Sequence, residues 1–339
     1  MLRTTDPSLF RNRREALLRA ALAVLTSALS TAAPARDTAA AGAPWPSKPI
    51  RLVVGFPGGS TPDMAARTIA VPLARALGQP IVVDNRAGAS GNLAADMVAK
   101  ATDDHTLGVV INGNLTTSKL LNPKLSFDPA SDFSFVSLLT SAPLLLVASS
   151  SQPGGAGFLP AARAAGGRWS YGSPGIGSTG HLGMELLKAR APGVLAVHVP
   201  YSGNPQVMTA LLAGDIQMAL VPPGVAAPHI KSGRVQAIGV TSGRSILVPD
   251  VAPIGDAGLR DFSLEVWTAL VGPARLSQAA QDRLAREVAA VVRDADTRQK
   301  LFQQGWQAVG STPEGLAARV RQETLLMKNI IAAGRITAE

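Results

Sequence analysis

The stretch WSYGSPGIGSTGHLGME, residues 169–185, begins as a strand pattern, passes through a loop with four glycines and ends in a helical pattern from His181. A glycine-rich loop that leads into a helix leaves several backbone N–H groups without intrahelical partners. The helix dipole adds about half a positive charge at the same end. Ser173, Ser178 and Thr179 contribute hydroxyl donors. The stretch therefore predicts a neutral binding site for an anion.

Two nucleotide-binding motifs match this stretch in outline, and each lacks a required residue. Residues 175–180 have the glycine spacing of a dinucleotide-binding fingerprint, but the next strand-like run, residues 194–201, has no acidic residue to hold a ribose. Residues 172–179 have the spacing of a Walker A motif, with serine in place of the essential lysine. The sequence therefore argues against nucleotide binding. A glycine-rich connection without any ligand is the alternative.

Length and composition indicate a globular protein of two domains. The chain has 339 residues, of which 46% are hydrophobic and 16% charged. It contains no cysteine, which excludes disulfides and thiol catalysis. The net charge of +9 is spread without a basic stripe, so we expect no nucleic-acid partner. The four histidines are not spaced like metal ligands, and we expect neither a metal nor a cofactor.

Residues 1–35 have the features of a secretory signal peptide. Arginines precede a short apolar run at residues 20–33, and Ala33-Pro34-Ala35 offers a small-residue cleavage site. The apolar run is short for a membrane span. The segment carries five arginines and two acidic residues, so its removal lowers the net charge from +9 to +6. We therefore predict export and a periplasmic location, by either the Sec or the twin-arginine route.

From residue 48 the sequence alternates between strand and helix patterns. The first three strands are each followed by a polar loop with glycine, and ligands of open α/β sheets bind at such strand ends. A second series starts near residue 133, and a run at residues 264–273 could return the chain to the first lobe. This order predicts two doubly wound α/β lobes. Strands are expected at residues 50–56, 81–83, 106–111, 135–139, 144–148, 195–199, 216–221 and 235–241, and helices at residues 64–77, 93–100, 158–165, 181–190, 205–212 and 225–232.

Several helix starts are indicated by capping residues. Asn92 is expected to cap the helix that follows it, Ser277 another, and Asp63 to have a capping role. The last helix could begin with a capping box formed by Ser311 and Glu314, or with a threonine cap followed by proline at residues 312–313.

No catalytic constellation is evident in the sequence. No serine lies in a G-x-S-x-G motif, and no paired acids flank a glycine loop. A cationic His181 would favour an anionic ligand, although the helix dipole opposes its protonation. Abundant neutral donors without catalytic residues favour a binding protein over an enzyme. The alternatives are a periplasmic α/β enzyme acting on a small anionic substrate, which would need a nucleophile–base pair, and an interaction module without a ligand.

Motifs along the whole mature chain resemble those of one known family. They include WPSKPIRLVV at residues 45–54, GFPGGSTPD at 55–63, GQPIVVDNRAGASGN at 78–92 and HVPY at 198–201. In order and spacing, from about residue 45 to 333, they resemble the extracytoplasmic solute receptors of tripartite tricarboxylate transporters, the Bug receptors. The resemblance implies a type II periplasmic-binding-protein fold, in which crossing strands join two α/β lobes around a ligand cleft.

The resemblance also implies how the chain is divided and used. Lobe 1 would comprise residues 45–143 and 268–339, and lobe 2 residues 144–267. The protein would be a monomer without enzymatic activity that delivers a small carboxylate to the integral-membrane subunits of a transporter. Carried over by position, the ligand contacts would be Phe56, Gly59, Ser60, Thr61, Asp63, Asn112, Gly113 and Asn114 in lobe 1, and Ser173, Gly177, Ser178, Thr179 and Asn204 in lobe 2.

Some cleft loops depart from the family pattern. Gly55, Gly58 and Ser60 replace the usual residues of the first loop, and residues 222–223 are prolines where many members carry polar residues facing the cleft. A dicarboxylate, an aromatic carboxylate and an amino acid all remain compatible with neutral donors. A cationic group on the ligand would need an acid near the cleft, for which Asp63 is the candidate.

Overall fold

The computed structural model describes residues 45–260, 262–334 and 336–337. The predicted signal peptide at residues 1–35 lies outside the described residues. Eleven strands occur in the described part: β1 (Ile50–Val54), β2 (Ile81–Asn85), β3 (Thr106–Ile111), β4 (Phe133–Pro143), β5 (Leu145–Ser149), β6 (Ser170–Ser173), β7 (Val197–Pro200), β8 (Met218–Val221), β9 (Val235–Val240), β10 (Glu265–Pro273) and β11 (Gln307–Ala308).

The same residues contain eleven α-helices. They are α1 (Thr61–Leu77), α2 (Asn92–Ala99), α3 (Asn112–Thr116), α4 (Ser118–Leu121), α5 (Phe158–Ala165), α6 (Thr179–Arg190), α7 (Asn204–Ala213), α8 (Pro223–Lys231), α9 (Gln278–Arg293), α10 (Ala295–Gln303) and α11 (Pro313–Gly334). None of the described helices has both the length and the apolar content that crossing a bilayer requires.

The strands form two sheets, one in each lobe. The first sheet has the order β11-β4-β10-β3-β1-β2, and the second has the order β7-β6-β8-β5-β9. In each sheet three strands run parallel, β2-β1-β3 in the first and β7-β6-β8 in the second. The strands added to each parallel group, β10 and β5, run antiparallel to it.

Two adjacent strands carry the chain between the lobes. Only Leu144 separates β4 of the first sheet from β5 of the second. The chain returns through β10, which pairs antiparallel with β4 over its whole length, with Val266 opposite Ala142. The predicted crossing strands, and the predicted return at residues 264–273, are confirmed. The first predicted lobe boundary, between residues 143 and 144, falls between β4 and β5. The second, between residues 267 and 268, falls inside β10. The limits of the lobes therefore stay a prediction.

The sheets are mixed rather than purely parallel, because of how the chain crosses. A parallel neighbour requires a crossover connection, usually a helix. The chain instead passes from β4 to β5 without a helix, and β5 therefore enters the second sheet antiparallel to β8 and β9.

Alternating side chains on each sheet pack against helices on both faces. In β1, Leu52 and Val54 belong to a core with α1 and α9, while Val53 belongs to a core with α2 and α11. In β5, Leu146 packs in a cluster with α5 and α6, while Val147 packs in one with α7 and α8. This alternation is the period of two that a strand imposes, and it buries both faces of both sheets.

Three helix starts test the predicted caps. Ser277 caps α9 as predicted, since its hydroxyl accepts a hydrogen bond from the Ala280 N–H at 3.3 Å. For α11 the threonine alternative is correct, because Thr312 Oγ1 accepts from the Gly315 N–H at 3.1 Å. The prediction for Asn92 is wrong. Gly91 precedes α2 in the left-handed conformation, with φ +87°, and Asn92 is already helical.

Replacement of a buried leucine tests the core of the second lobe. Leu146 has no exposed surface, so Leu146→Ala should lower the free energy of unfolding by about 2–5 kcal/mol through lost burial and a residual cavity. Urea titration followed by circular dichroism measures this change. The matched variant Leu195→Ala, at a position 62% exposed, should stay within about 0.5 kcal/mol of the wild type. Equal losses in the two variants would contradict this packing.

Candidate ligand-binding site

A cavity lies between the two lobes. About 470 Å³ of space there is not filled by protein atoms, and part of it is open to solvent. The first lobe, the second lobe and the crossing region all contribute to its wall. The lining residues are Phe56, Ser60, Thr61, Pro62, Ile111, Leu144, Pro174, Ser178, Thr179, Gly180, Asn204, Leu220, Pro222, Val266 and Trp306.

Three helices begin at this cavity. Helix α1 starts at Thr61, α6 at Thr179 and α7 at Asn204, and all three residues line the cavity. Ser178 precedes α6 as its N-cap, and its hydroxyl donates to the Gly175 carbonyl at 2.7 Å and accepts from the His181 N–H at 3.3 Å. First-turn N–H groups have no intrahelical partner. The helix starts therefore bring backbone donors and the positive ends of three helix dipoles to one place.

Buried polar atoms in the cavity wall lack hydrogen-bond partners. Ser60 and Trp306 are each 2% exposed, and neither Ser60 Oγ nor Trp306 Nε1 has a partner among the described residues. Asn204 Oδ1 is also without a partner there, while its Nδ2 donates to Thr61 Oγ1 at 3.3 Å. A buried polar atom left unpaired costs about 1–3 kcal/mol. Residues of the cavity wall therefore retain hydrogen-bonding capacity that a polar ligand could use.

Asp63 lies behind the first loop and not in the cavity wall. Its Oδ2 accepts from the Gly59 N–H at 2.9 Å, and its Oδ1 accepts from Asn85 Nδ2 at 2.8 Å and Arg67 Nε at 3.0 Å. Burial alone would raise the pKa of this carboxyl, but the hydrogen bonds from Arg67, Gly59 and Asn85 outweigh it and hold the pKa below its usual range. Asp63 thus ties the loop to α1 as an ionised group, in a role close to the predicted cap.

Asn112, Gly113 and Gly177 bring the lobes into contact beside the cavity. Thr179 Oγ1 donates to Asn112 Oδ1 at 2.8 Å across the lobes. Thr117 Oγ1 donates to the Gly177 carbonyl at 2.7 Å. A Cβ atom at Gly113 would lie 3.0 Å from the same carbonyl oxygen, so the close approach favours a glycine here. The lobes are therefore closed against each other.

The C-terminal helix, α11, positions the Asn112 side chain through Glu323. Glu323 of α11 is buried, and its carboxylate accepts from Asn112 Nδ2 at 2.7 Å, from Trp267 Nε1 at 2.6 Å and from Arg319 Nε at 3.2 Å. Burial raises the pKa of Glu323 despite these three donors. The chain of contacts from Thr179 through Asn112 to Glu323 connects both lobes to α11.

Asn114 supports a left-handed turn of the first lobe. Its Nδ2 donates to the Ser90 carbonyl at 3.0 Å and to Asn92 Oδ1 at 2.9 Å. Ala89 and Ser90 have φ of +47° and +56°, a conformation that non-glycine residues rarely adopt. Ser90 meets Gly175 of the second lobe, where an added Cβ would lie 2.2 Å from Ser90 Oγ. The turn is therefore a second point of contact between the lobes.

Ser173 and His198 form the one contact between a serine hydroxyl and a histidine ring among the described hydrogen bonds, with Ser173 Oγ 2.7 Å from His198 Nε2. Such a pair is what the enzyme alternative requires. Ser173 is fully buried and does not line the cavity. The nearby acid, Glu185, accepts hydrogen bonds from Tyr171 and Lys188 instead of orienting the imidazole. The pair therefore supports the glycine-rich loop and offers no nucleophile to a substrate.

His198 and His181 stack on each other beneath that loop. Their ring centroids are 4.2 Å apart, and Tyr171 stacks on His198 at 4.9 Å. His181 Nδ1 accepts a hydrogen bond from the Gly177 N–H at 3.1 Å and is therefore unprotonated. Burial lowers the pKa of both histidines, and burial together with His181 lowers that of His198 to about 4. A cationic role for His181 at the ligand is therefore not supported, because the ring is buried, its pKa is lowered and it lies outside the cavity wall.

The predicted contacts divide into two groups by position. Six line the cavity, and their identity as ligand contacts stays a prediction: Phe56, Ser60, Thr61, Ser178, Thr179 and Asn204. The other seven support the loops or join the lobes without lining the cavity: Gly59, Asp63, Asn112, Gly113, Asn114, Ser173 and Gly177.

Sequence reasoning missed Trp306 and most apolar members of the wall. Trp306 reaches the cavity because β11, directly after it, pairs with β4, so that Gln307 lies opposite Ser141. No local pattern near residue 306 indicates this long-range pairing. A lone tryptophan after a glycine was the one visible signal.

Comparison with known proteins identifies relatives of the chain. Residues 65–334 match the family model described as "Tripartite tricarboxylate transporter family receptor". The UPF0065 protein in the tcbD-tcbE intergenic region of Pseudomonas sp. (strain P51) is 35% identical over 331 residues, which are 96% of each chain. Protein BugT of Bordetella pertussis is 30% identical over 234 residues, 68% of this chain and 72% of BugT.

Solved structures share the fold. Rpa4515 of R. palustris, solved with adipate, aligns with a TM-score of 0.83 at 30% identity, covering 86% of this chain and 99% of its own. MatC from Rhodopseudomonas palustris, with bound malate, aligns with a TM-score of 0.80 at 31% identity, covering 85% and 100%. The periplasmic binding protein BugD has a TM-score of 0.81 at 24% identity, covering 87% and 100%. These likenesses confirm the predicted two-lobe fold.

The histidine stack predicts a loss of stability on mild acidification. In the unfolded chain a histidine binds its proton near pH 6.5, whereas folded His198 stays neutral down to about pH 4. The unfolded state therefore binds more protons between these values, and stability falls as the pH falls through this window. The measurement is Tm by calorimetry between pH 7.5 and 5, a range in which few carboxylates titrate.

The His198→Gln variant is the control for this pH dependence. Glutamine can still bond to Ser173 but does not titrate, so the decline of Tm with falling pH should be shallower than in the wild type. If Tm fell equally with falling pH in the two proteins, the assignment of this pH dependence to the histidine stack would be refuted.

Proposed function

Because the chain belongs to the tripartite tricarboxylate transporter receptor family, we propose that it is a solute-binding protein that holds a small carboxylate between its lobes. The observation that carries this proposal is a cavity at which three helices begin and at which Ser60 Oγ, a buried hydroxyl donor, has no partner among the described residues. A carboxylate is the group that hydroxyl and first-turn N–H donors stabilise most, through charge-assisted hydrogen bonds.

The donors come from both lobes and are uncharged. The first lobe offers the hydroxyls of Ser60 and Thr61. The second offers first-turn N–H groups at Thr179 and Asn204, because the hydroxyls of Ser178 and Thr179 already donate to Gly175 and Asn112. Among the described residues of the cavity wall, none has a charged side chain. The charge of one carboxylate would therefore be balanced by helix dipoles and oriented N–H groups. The adipate and malate bound by two structural neighbours support a carboxylate as the ligand class.

Closure of the lobes completes the binding site. A solute would first bind to the donors of one lobe, and the second lobe would then close over it and exclude water. Hydrogen bonds to the carboxylate become stronger as the local dielectric constant falls. Contacts such as Thr179–Asn112 and Thr117–Gly177 hold the closed form. Strands β4 and β10 cross between the lobes and would contain the hinge of such a motion.

The closed, loaded receptor would deliver its solute to the integral-membrane subunits of a transporter. The family description supports this partner. The proposal places the protein in the periplasm as a monomer, after removal of the signal peptide expected at residues 1–35. The enzyme alternative lacks support, because the Ser173–His198 pair lies outside the cavity wall.

A serine variant tests the carboxylate site. Calorimetric titration with straight-chain mono- and dicarboxylates of four to eight carbons should identify a ligand. The Kd of that ligand should rise about tenfold in Ser60→Ala, the effect of one lost hydrogen bond to a charged group. The Tm without ligand should not fall, because Ser60 Oγ has no protein partner to lose.

Ser47→Ala is the matched control, since Ser47 is exposed and does not line the cavity. Its Kd should equal that of the wild type. If neither this panel nor an aromatic acid such as benzoate bound to the folded protein, carboxylate capture would be contradicted.

A glycine variant tests closure. Gly224 of α8, in the second lobe, lies against the end of α10, where an added Cβ would meet the Gln304 carbonyl oxygen at 1.8 Å. Gly224→Ala should therefore hold the lobes apart, weaken ligand binding and reduce the decrease in radius of gyration that ligand causes in X-ray scattering. At Gly255 an added Cβ meets nothing within 4 Å, so Gly255→Ala should behave as the wild type. Unchanged compaction in Gly224→Ala would argue against closure at this contact.

A further inference from the structure

The cavity wall is polar at the helix starts and apolar elsewhere. The polar side chains of the wall come from the loops and first turns that lead into α1, α6 and α7. Leu144 and Val266 come from the crossing region, and Leu220 from β8. Nine of the fifteen wall residues are apolar, so most of a ligand's surface would contact apolar groups: Phe56, Pro62, Ile111, Leu144, Pro174, Leu220, Pro222, Val266 and Trp306.

The polar part of this wall can balance a carboxylate, whereas its apolar part, as far as the structure describes it, has no charged side chain to balance a second one. The dipoles and first-turn N–H groups of the helix starts serve one carboxylate. A second carboxylate in the apolar part would be desolvated without a cation, which is strongly unfavourable. Arg67 does not supply this cation, since it binds Asp63 and Asn85 and does not line the cavity, and His181 Nδ1 accepts a hydrogen bond from Gly177.

The same reasoning excludes a cationic group on the ligand. An ammonium group would need a carboxylate in the wall, and no described wall residue is acidic. Asp63, the acid that the sequence suggested for this purpose, is outside the wall and already accepts hydrogen bonds from Gly59, Asn85 and Arg67.

Among the described wall residues, Trp306 provides the one side-chain donor on the crossing-strand side. It directly precedes β11, which pairs with β4, while Val266 of β10 lies opposite Ala142 of β4. Trp306, β4 and Val266 are thus neighbours at one side of the cavity. The indole Nε1–H can only donate, and it is buried without a partner among the described residues. An uncharged acceptor on the ligand would satisfy it.

We propose, on the basis of the carboxylate function proposed above, that the solute is a monocarboxylate with an apolar body and an uncharged hydrogen-bond acceptor at its other end. The helix starts bind the carboxylate, the apolar wall covers the body, and Trp306 donates to the distal acceptor. Trp306 is accordingly the residue that determines specificity for this end of the solute.

Two matched sets of acids test this assignment by calorimetric titration. The first is hexanoate, 6-hydroxyhexanoate and adipate, and the second is benzoate, 4-hydroxybenzoate and terephthalate. Within each set the three acids share the same apolar body. The end opposite the first carboxylate carries no polar group in the first acid, a hydroxyl in the second and a second carboxylate in the third. In a set that binds, we expect the hydroxy acid to bind most tightly and the dicarboxylate to bind about tenfold or more weakly than the unsubstituted acid.

The Trp306→Phe variant isolates the indole donor. It keeps an aromatic ring in the wall and removes Nε1, so the advantage of the hydroxy acid over the unsubstituted acid, about five- to tenfold, should disappear while the unsubstituted acid still binds. Trp169→Phe is the matched control, because Trp169 is buried against Phe158 in the second lobe and does not line the cavity. It should keep the wild-type order of affinities.

The outcomes separate this inference from the proposed function. If the dicarboxylate binds most tightly in its set, the monocarboxylate assignment is overturned and the carboxylate receptor stands. If Trp306→Phe keeps the preference for the hydroxy acid, the role of Trp306 is overturned. If no acid of either set binds to the folded protein, the inference and the proposed function fail together.

Discussion

The antiparallel pairing of β4 with β10 is the interaction on which the rest of the structure depends. It joins the two lobes through adjacent strands, and a buried hydrogen bond of 2.7 Å between Thr140 Oγ1 and Thr268 Oγ1 links the pair. The first sheet extends from it in both directions, through β3 on one side and β11 on the other. Because the cavity lies where the chain crosses, the same pairing sets the position of its apolar side and brings Trp306 to it.

Buried polar contacts also fix the shape of the loops before α1 and α6. The donors of these loops stay available for a ligand. Asp63 fixes the loop before α1, and the Ser173–His198 contact fixes the loop before α6. These residues do not line the cavity, yet they place the helix starts that do. The donors for a ligand are then backbone N–H groups and hydroxyls held by neighbours, which costs little reorganisation on binding.

Neutral donors also explain how one site can combine an anion with an apolar environment. A lysine or arginine in the wall would itself need solvation or a partner when the lobes close, because an isolated buried charge is strongly unfavourable. Helix dipoles carry no such requirement, since their partial charges are fixed in the backbone. The closed lobes can therefore surround the carboxylate with apolar residues such as Leu144 and Val266 without burying an unpaired cation.

Apart from short elements such as α3, α4 and β11, the sequence by itself determined the helices and strands, the two-lobe architecture and the glycine loops. These follow from local hydrophobic periodicity and turn chemistry, and the structure reproduces β3 (Thr106–Ile111) and α5 (Phe158–Ala165) at their predicted bounds. Only the tertiary structure decided which side chains line the cavity. Asn112 and Gly177 join the lobes, and Trp306 enters the wall through the β11–β4 pairing. Such contacts connect residues far apart in the chain, and no local pattern encodes them.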